Sequence, residues 1–265
     1  MEDVQSRHDA REIPLEQVGV SELRYPITVL DREADRQQTI ATVELSVNLP
    51  HHFKGTHMSR FIEVLEAHRG EVTMFTMPAL VEDLRERLEA ERARVCMRFT
   101  YFVERAAPAS GARSLLDVEA RFIGESAERG DELFELGVRT PVTSLCPCSK
   151  AISDYGAHNQ RGFVDIACTF TPDAQGERQM IWIEELIEIA ERSASAPIYA
   201  LLKREDERHV TMQAYDNPVF VEDMARAAAV ALRADARVAS YRISAENDES
   251  IHNHKAFART SWRRP

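Results

Sequence analysis

Between Thr140 and Gly162 the chain reads TPVTSLCPCSKAISDYGAHNQRG, with cysteines on either side of Pro147 and His158 ten residues beyond the second. A thiolate that meets an imidazole makes either a soft-to-borderline metal site or a nucleophile with its base. Residues two apart on an extended segment point to opposite faces. One sulfur of Cys146 and Cys148 is therefore expected to be functional and the other structural. The plainer alternative is a pair of buried thiols at a strand end. The Cys-x-x-Cys hooks of a zinc ribbon are absent.

Four other segments carry candidate chemistry. In ENDESIHNH, His252 and His254 are again two apart, so one is expected to face a given site and an exposed polar turn is the alternative. KGTHMSRF puts Lys54, His57 and Arg60 at an expected helix start, which suits an anion. LKREDERH, with Lys203, Arg204 and Glu207, reads by itself as a solvated charge run. Glu222, in VFVEDM, sits near a helix start where a carboxylate also favours the helix dipole.

Composition narrows the classes. A net charge of −11 argues against nucleic acid as a partner, because backbone binding needs a basic face. It leaves room for a phosphorylated small molecule held by a local cluster of cations. The N-terminal MEDVQSRHDAREIPLEQVGV has no apolar core of a signal peptide, and no run approaches a membrane span. With Cys96 and Cys168 inside apolar strand-like runs, the expectation is a cytoplasmic protein with reduced thiols and no membrane contact.

These groups must be positioned by elements that the hydrophobic pattern outlines. Strands are expected at Tyr25–Leu30, Thr42–Leu49, Arg94–Glu104 and Leu115–Ile123. Between the second and third lie two helical patterns, one with Phe61, Ile62, Leu65 and His68 on a face, the other with Leu80, Val81, Leu84 and Leu88. The second half repeats the order. Its strands are Leu133–Leu145, Phe163–Phe170, Arg237–Glu246 (with a bulge) and Ala256–Arg259. Its helices are Ile181–Arg192, with Trp182, Leu186, Ile189 and Ala190 inward, and Pro218–Arg233, with Val221, Met224, Ala225 and Ala228 inward. Ser193–Thr211 reads as a long functional loop. Hairpin turns are expected at Ser110–Gly111 and at Arg129–Asp131. The domain reading is a polar arm (1–20), a first strand-strand-helix-helix-strand-strand unit (21–130) and a second (131–265) bearing most candidate site residues.

The runs RYPITV, LPHHFKGTHMSRFIEVL, PVTSLCPCSKAISDYGAHNQRG, SASAPIYALLKREDE, YDNPVFVEDM and ENDESIHNHKAFA resemble the type IB GTP cyclohydrolase I family over about residues 13 to 260. The resemblance implies an α+β tunnelling fold and a homotetramer with active sites at subunit interfaces. It also implies conversion of GTP and water to 7,8-dihydroneopterin triphosphate and formate, the entry to folate-type pterins. The family's metal-site residues fall on Cys146, His158, Glu207 and His252, and its guanine anchor on Glu222. The implied cofactor is Zn²⁺ or Mn²⁺, with Fe²⁺ a further candidate. Such an ion lowers the pKa of its water so that hydroxide can add at guanine C8. Cys146, His158 and His252 are the expected catalytic residues. A histidine outside the ion's shell would protonate N7 or the departing nitrogen.

The triphosphate requires cations, and the candidates are Lys54, His57, Arg60, Lys150, Arg161, Lys203 and Arg204, with the arginines suited to bidentate contacts. No Walker sequence is present, so GTP is expected as substrate and not as a P-loop ligand. Two other readings stay open: a nitrile-reducing deazaguanine enzyme of the same fold, using NADPH and a nucleophilic cysteine, and a non-catalytic protein stapled by metal. A relative releasing a cyclic phosphate product is a finer alternative.

Overall fold

The computed structural model describes residues 5, 7–128, 130, 132–176 and 179–265. The chain packs as two compact units, Met1–Phe99 with Arg121–Glu135, and Thr100–Ala120 with Leu136–Pro265. Arg129, Asp131 and, in the expected polar arm, residues 1–4 and 6 lie outside the described residues. Gly130, between the first two, has φ +82°, as a turn glycine can.

The first unit holds β1 (Leu15–Asp31), β2 (Asp35–Leu49), α1 (Met58–Ala67), α2 (Met77–Arg87) and the outer parts of β3 (Arg92–Ala106) and β4 (Arg113–Ala127). Its sheet order is β1-β2-β3-β4. Val43, Leu45 and Val47 are buried and pair antiparallel with Met97, Val95 and Ala93, the pattern that alternation requires. β1 starts ten residues before the expected Tyr25. Its early residues are mostly exposed and its register slips between Leu15 and Val18 and between Val20 and Leu23, so no clean alternation marked it. In α1 the buried residues are Phe61, Val64 and Leu65, while Ile62, expected inward, is exposed.

α2 buries Met77, Leu80, Val81 and Leu84. Its close approach to β4 depends on Gly124, where a Cβ would lie 2.6 Å from Met77 Cγ and 2.7 Å from Val81 Cγ2.

The second unit contains the remaining parts of β3 and β4, then β5 (Leu133–Leu145) from Leu136 onward, α3 (Pro147–Ile152), β6 (Asn159–Phe170), α4 (Ile183–Ser193), β7 (Ala196–Pro197), α5 (Arg204–Asp216), α6 (Val221–Ala234), β8 (Val238–Asp248) and β9 (Lys255–Arg263). The strands run in the order β5-β6-β8-β9, with β7 antiparallel to β5. Thr169 pairs with Ser240 but Phe170 with Val238, so Ala239 is the extra residue of the expected bulge. Leu186, Ile187 and Ala190 of α4 and Met224, Ala225, Ala228 and Leu232 of α6 are buried, as are Val164, Ile166, Tyr241 and Ile243 of the sheet. Each large side chain withdrawn from water in this way contributes about 1.5–3 kcal/mol. Ile187 takes the inward place expected for Ile189, which is half-buried.

The order strand-strand-helix-helix-strand-strand thus occurs twice, making an α+β fold, with α3, β7 and α5 added in the second copy. The stretch expected to be a loop, Ser193–Thr211, is corrected by β7 and the start of α5. Among the described residues no helix is long and apolar enough to cross a membrane. Gly124→Ala should lower the urea midpoint at unchanged m-value, a stability loss of about 1–3 kcal/mol; an unchanged midpoint would mean that α2 does not pack on β4 this closely.

Candidate active site

Cys146 follows the last residue of β5 and caps α3. Pro147, at the first helical position, needs no N–H partner there, so the chain turns from strand to helix at the first cysteine. Ser149 N donates to Cys146 Sγ at 3.4 Å, and Ser149 Oγ donates to Cys146 O at 3.1 Å. The expectation of an extended Cys-Pro-Cys with one structural thiol is therefore corrected: Cys148 lies on α3 and is exposed, whereas Cys146 is half-buried. Cys96 and Cys168 are buried as expected, and burial pushes the Cys96 thiol pKa up.

Cys146 and His158 are fastened together through the backbone. Cys146 N donates to His158 O at 3.1 Å, and His158 N donates to Ser149 Oγ at 3.1 Å. The imidazole is oriented in turn, with Nδ1 2.7 Å from Gln160 Oε1 and 3.2 Å from Ser250 Oγ. Gln160 is buried, and its amide donates to Glu249 Oε1 at 3.4 Å. With the amide nitrogen committed to Glu249, Gln160 Oε1 is the acceptor and Nδ1 the donor. That tautomer leaves a lone pair on Nε2, the arrangement of a metal-ligating histidine.

A cavity of about 480 Å³ opens at this junction. Cys146, Gln160, Glu222, Asn247, Glu249 and His254 line it. Glu222 comes from the first turn of α6, where Asp223 accepts from Phe220 N at 3.0 Å and fixes the helix start. Asn247 Nδ2 donates to Ser144 Oγ at 3.0 Å, while its buried Oδ1 has no hydrogen-bond partner. His252 and His254 do not diverge as expected: their rings stack, with centroids 5.1 Å apart. His254 lines the cavity and His252 is not among its lining residues.

The other expected site residues are distributed more widely. Glu207, Lys203 and Arg204 are exposed at the start of α5, and Arg161 is exposed on β6. Lys150 Nζ donates to Tyr215 O and lies 4.2 Å from the centre of the Tyr215 ring, so it is engaged with α5. His57 and Arg60 belong to the first unit, where they line a cavity of about 230 Å³ with Asn48 and Glu89; Arg60 Nη1 donates to Arg87 O at 3.1 Å. Lys54 is exposed just before them. Among the described residues of one chain, no group of three or more His, Cys, Asp or Glu side chains is gathered as an ion would need.

Sequence reading missed Asp206. It lies in the charge run expected to be solvated but is 0% exposed. Burial works against its charge. Hydrogen bonds from the Ser110 hydroxyl and from the Ser110, Lys203 and Ala109 N–H groups outweigh burial and hold the carboxyl well below its ordinary range. Nothing in a run of alternating charges distinguishes the one that faces inward.

The four thiols should alkylate in a set order: Cys148 fast, Cys146 slowly, and Cys96 and Cys168 only on unfolding, as read by peptide mass spectrometry under native and denaturing conditions. Fast labelling of Cys146 with a protected Cys148 would contradict the strand-to-helix turn described here.

Comparison with known proteins bears on this site. A family model described as type I GTP cyclohydrolase FolE2 matches residues 1–258. The GTP cyclohydrolase FolE2 of Syntrophotalea carbinolica is 49% identical over 258 residues, covering 97% of this chain and 94% of that protein. That of Methylococcus capsulatus is 49% identical over 258 residues, covering 97% and 93%. Among solved structures, the uricase of Arthrobacter globiformis superposes with a TM-score of 0.57 at 10% identity, over 94% of this chain and 93% of that one. A uricase from Bacillus fastidious gives 0.54 at 9%, over 93% and 92%. At such low identity the likeness is one of fold alone, the tunnelling fold. With whole-chain relatives at nearly half identity and a family model spanning the cavity-lining residues Cys146, Gln160, Glu222 and His254, the chain belongs to the type I GTP cyclohydrolase FolE2 family.

Proposed function

We propose that the protein converts GTP and water to 7,8-dihydroneopterin triphosphate and formate, with the cavity beside Cys146 receiving the guanine. The observation that carries this reading is that Cys146 and Glu222 line the same cavity, with His158 tied to Cys146 by a backbone hydrogen bond. A carboxylate there can accept from guanine N1–H and the exocyclic amine together. Adenine, which lacks both donors on that edge, would leave the charge unpaired.

A divalent ion fits the donors at this junction. The half-buried Cys146 sulfur and the His158 imidazole are a sulfur and a nitrogen donor of the kind that suits Zn²⁺, Mn²⁺ or Fe²⁺. Cys146, His158, Glu207 and His252 are the residues from which we draw its ligands, with one of the two histidines left outside its shell and the homotetramer of the family resemblance as the working assembly. When bound, the ion would supply hydroxide near neutral pH and stabilise the negative charge on the oxygen added at C8.

The chain's own groups do the rest. Gln160 holds His158 in one tautomer and Glu249 holds Gln160. Glu222 orients the base so that C8 faces the Cys146 side of the cavity. Of His158 and His252, the one that stays outside the ion's shell would, when protonated, give its proton to N7 as water adds at C8 or to the departing N9 as the C8–N9 bond opens. Arg161, Lys203, Arg204, His57 and Arg60 are the cations proposed for the triphosphate, with Lys150, already on Tyr215, acting through α5. The product is consistent with a place at the head of folate-type pterin synthesis.

Metal-stripped protein should release no formate from GTP, and Mn²⁺ or Zn²⁺ should restore release. Folded protein that stays inactive with either ion, or is fully active without one, would contradict the assignment. Glu222→Gln keeps the shape but offers a single acceptor, and should cut kcat/KM for GTP about 100-fold. Unchanged kcat/KM would remove Glu222 from guanine recognition.

A further inference from the structure

Helix α5 is nearly bare of the packing that holds its neighbours. Along its 13 residues only Asp206 and Ala214 are buried, whereas α4 and α6 bury continuous apolar faces. A helix that buries so little apolar surface within its chain has little hydrophobic energy to fix it there, and its first turn, which is charged throughout, frays unless its N–H groups and its position are held in another way. Polar tethers serve that purpose here. At the far end Asn217 Nδ2 donates to Ala194 O at 2.9 Å, and Lys150 Nζ donates to Tyr215 O.

At the near end the tether is Asp206. Its Oδ1 accepts from Ala109 N and Ser110 N, both at 2.8 Å. Its Oδ2 accepts from Ser110 Oγ at 2.6 Å and from Lys203 N at 2.9 Å. The turn it grips is rigid in its own right. Ala107 N donates to Ala112 O at 2.9 Å, Gly111 N to Ala107 O at 3.0 Å, and Ala112 N to Ser110 Oγ at 3.3 Å, with Gly111 at φ +69°. A carboxylate removed from water is costly unless its lone pairs are met. Here four donors meet them, three from the β3–β4 turn and one from the residue that starts the helix. Glu207 is the next residue, and its N–H donates to Lys203 O at 2.9 Å. Lys203, Arg204 and Glu207 therefore all stand within one helical turn of the anchor.

We propose that Asp206 is a positioning residue: by fastening the first turn of α5 to the β3–β4 turn, it sets the place of the Glu207 carboxylate and of the Lys203 and Arg204 cations. This rests on the proposed role of Glu207 as a ligand to the divalent ion. Asp206 touches neither ion nor substrate, and its effect is exerted through the helix start.

The test is Mn²⁺ affinity, measured by chelator competition on the full-length protein, alongside thermal midpoints and amide hydrogen exchange in the first turn of α5. Asp206→Asn keeps the volume but opposes an N–H₂ group to donors, and should weaken Mn²⁺ binding about 10- to 100-fold with faster exchange at Glu207 and Arg208. Ser110→Ala removes one of the four donors and should give the same effect more weakly, by up to about tenfold. It decides the matter if Asp206→Asn does not fold. Glu82→Gln, which breaks the Arg85 and Ser126 contacts elsewhere, should shift the thermal midpoint without changing Mn²⁺ affinity. If Asp206→Asn or, failing that, Ser110→Ala binds Mn²⁺ as tightly as the parent protein while Glu207→Gln binds it weakly, the positioning role is overturned and the ligand role stands. If Glu207→Gln also binds Mn²⁺ as tightly as the parent, the ligand role and the positioning role fall together.

Discussion

The end of β5 is the constraint on which the candidate site depends. Over four residues the backbone or side chain of each is hydrogen-bonded to a different part of the second unit. Thr143 O accepts from Ser195 N, Ser144 Oγ accepts from Asn247 Nδ2, Leu145 O accepts from Val219 N, and Cys146 N donates to His158 O. Leu145 N closes the set by donating to the buried Ser195 Oγ at 3.0 Å. β6, the segment before α6, the loop after α4 and the end of β8 are thereby indexed to one strand end. The Cys146 thiol, the His158 imidazole and the Glu222 carboxylate each sit within a few residues of one of these bonds. Such a junction tolerates little displacement, since shifting the strand end would break several of these hydrogen bonds at once.

Charge tells a complementary story. The chain carries an excess of acid, and many of its arginines are spent on structure, as Arg105 is on Glu191, Arg139 on Asp165, and Arg237 on Glu185 and Asp235. A triphosphate must then be met by cations set apart from those pairs, and the exposed Lys203, Arg204 and Arg161 answer to that description. By charge alone an acidic body disfavours extended polyanions, and a local group of cations leaves room for a small one.

Much of the fold was legible because its energetics are written in periodicity. The alternation of Val43, Leu45 and Val47 and the inward stripe of Val221, Met224, Ala225 and Ala228 correspond to buried faces in the structure. What escaped was held by polar contacts or was too short to show a period. α5 buries a carboxylate and an alanine, so its sequence resembles a solvated run; α3 is six residues long; and the first ten residues of β1 are largely exposed. The cysteines and histidines of the site were visible as residue types, but their directions were not. Spacing of two implied opposite faces, whereas the strand-to-helix turn at Pro147 and the stacking of His252 on His254 produce other arrangements.

The Cys146 sulfur, and not that of its exposed neighbour, is the proposed ligand of the divalent ion. Loading metal-stripped protein with Co²⁺ reads this directly, because a thiolate on Co²⁺ gives a ligand-to-metal charge-transfer absorption in the near ultraviolet. The band should be present in the parent protein and in Cys148→Ala, and absent from Cys146→Ala. Its survival in Cys146→Ala, its loss in Cys148→Ala, or its absence from Co²⁺-loaded parent protein would contradict the account.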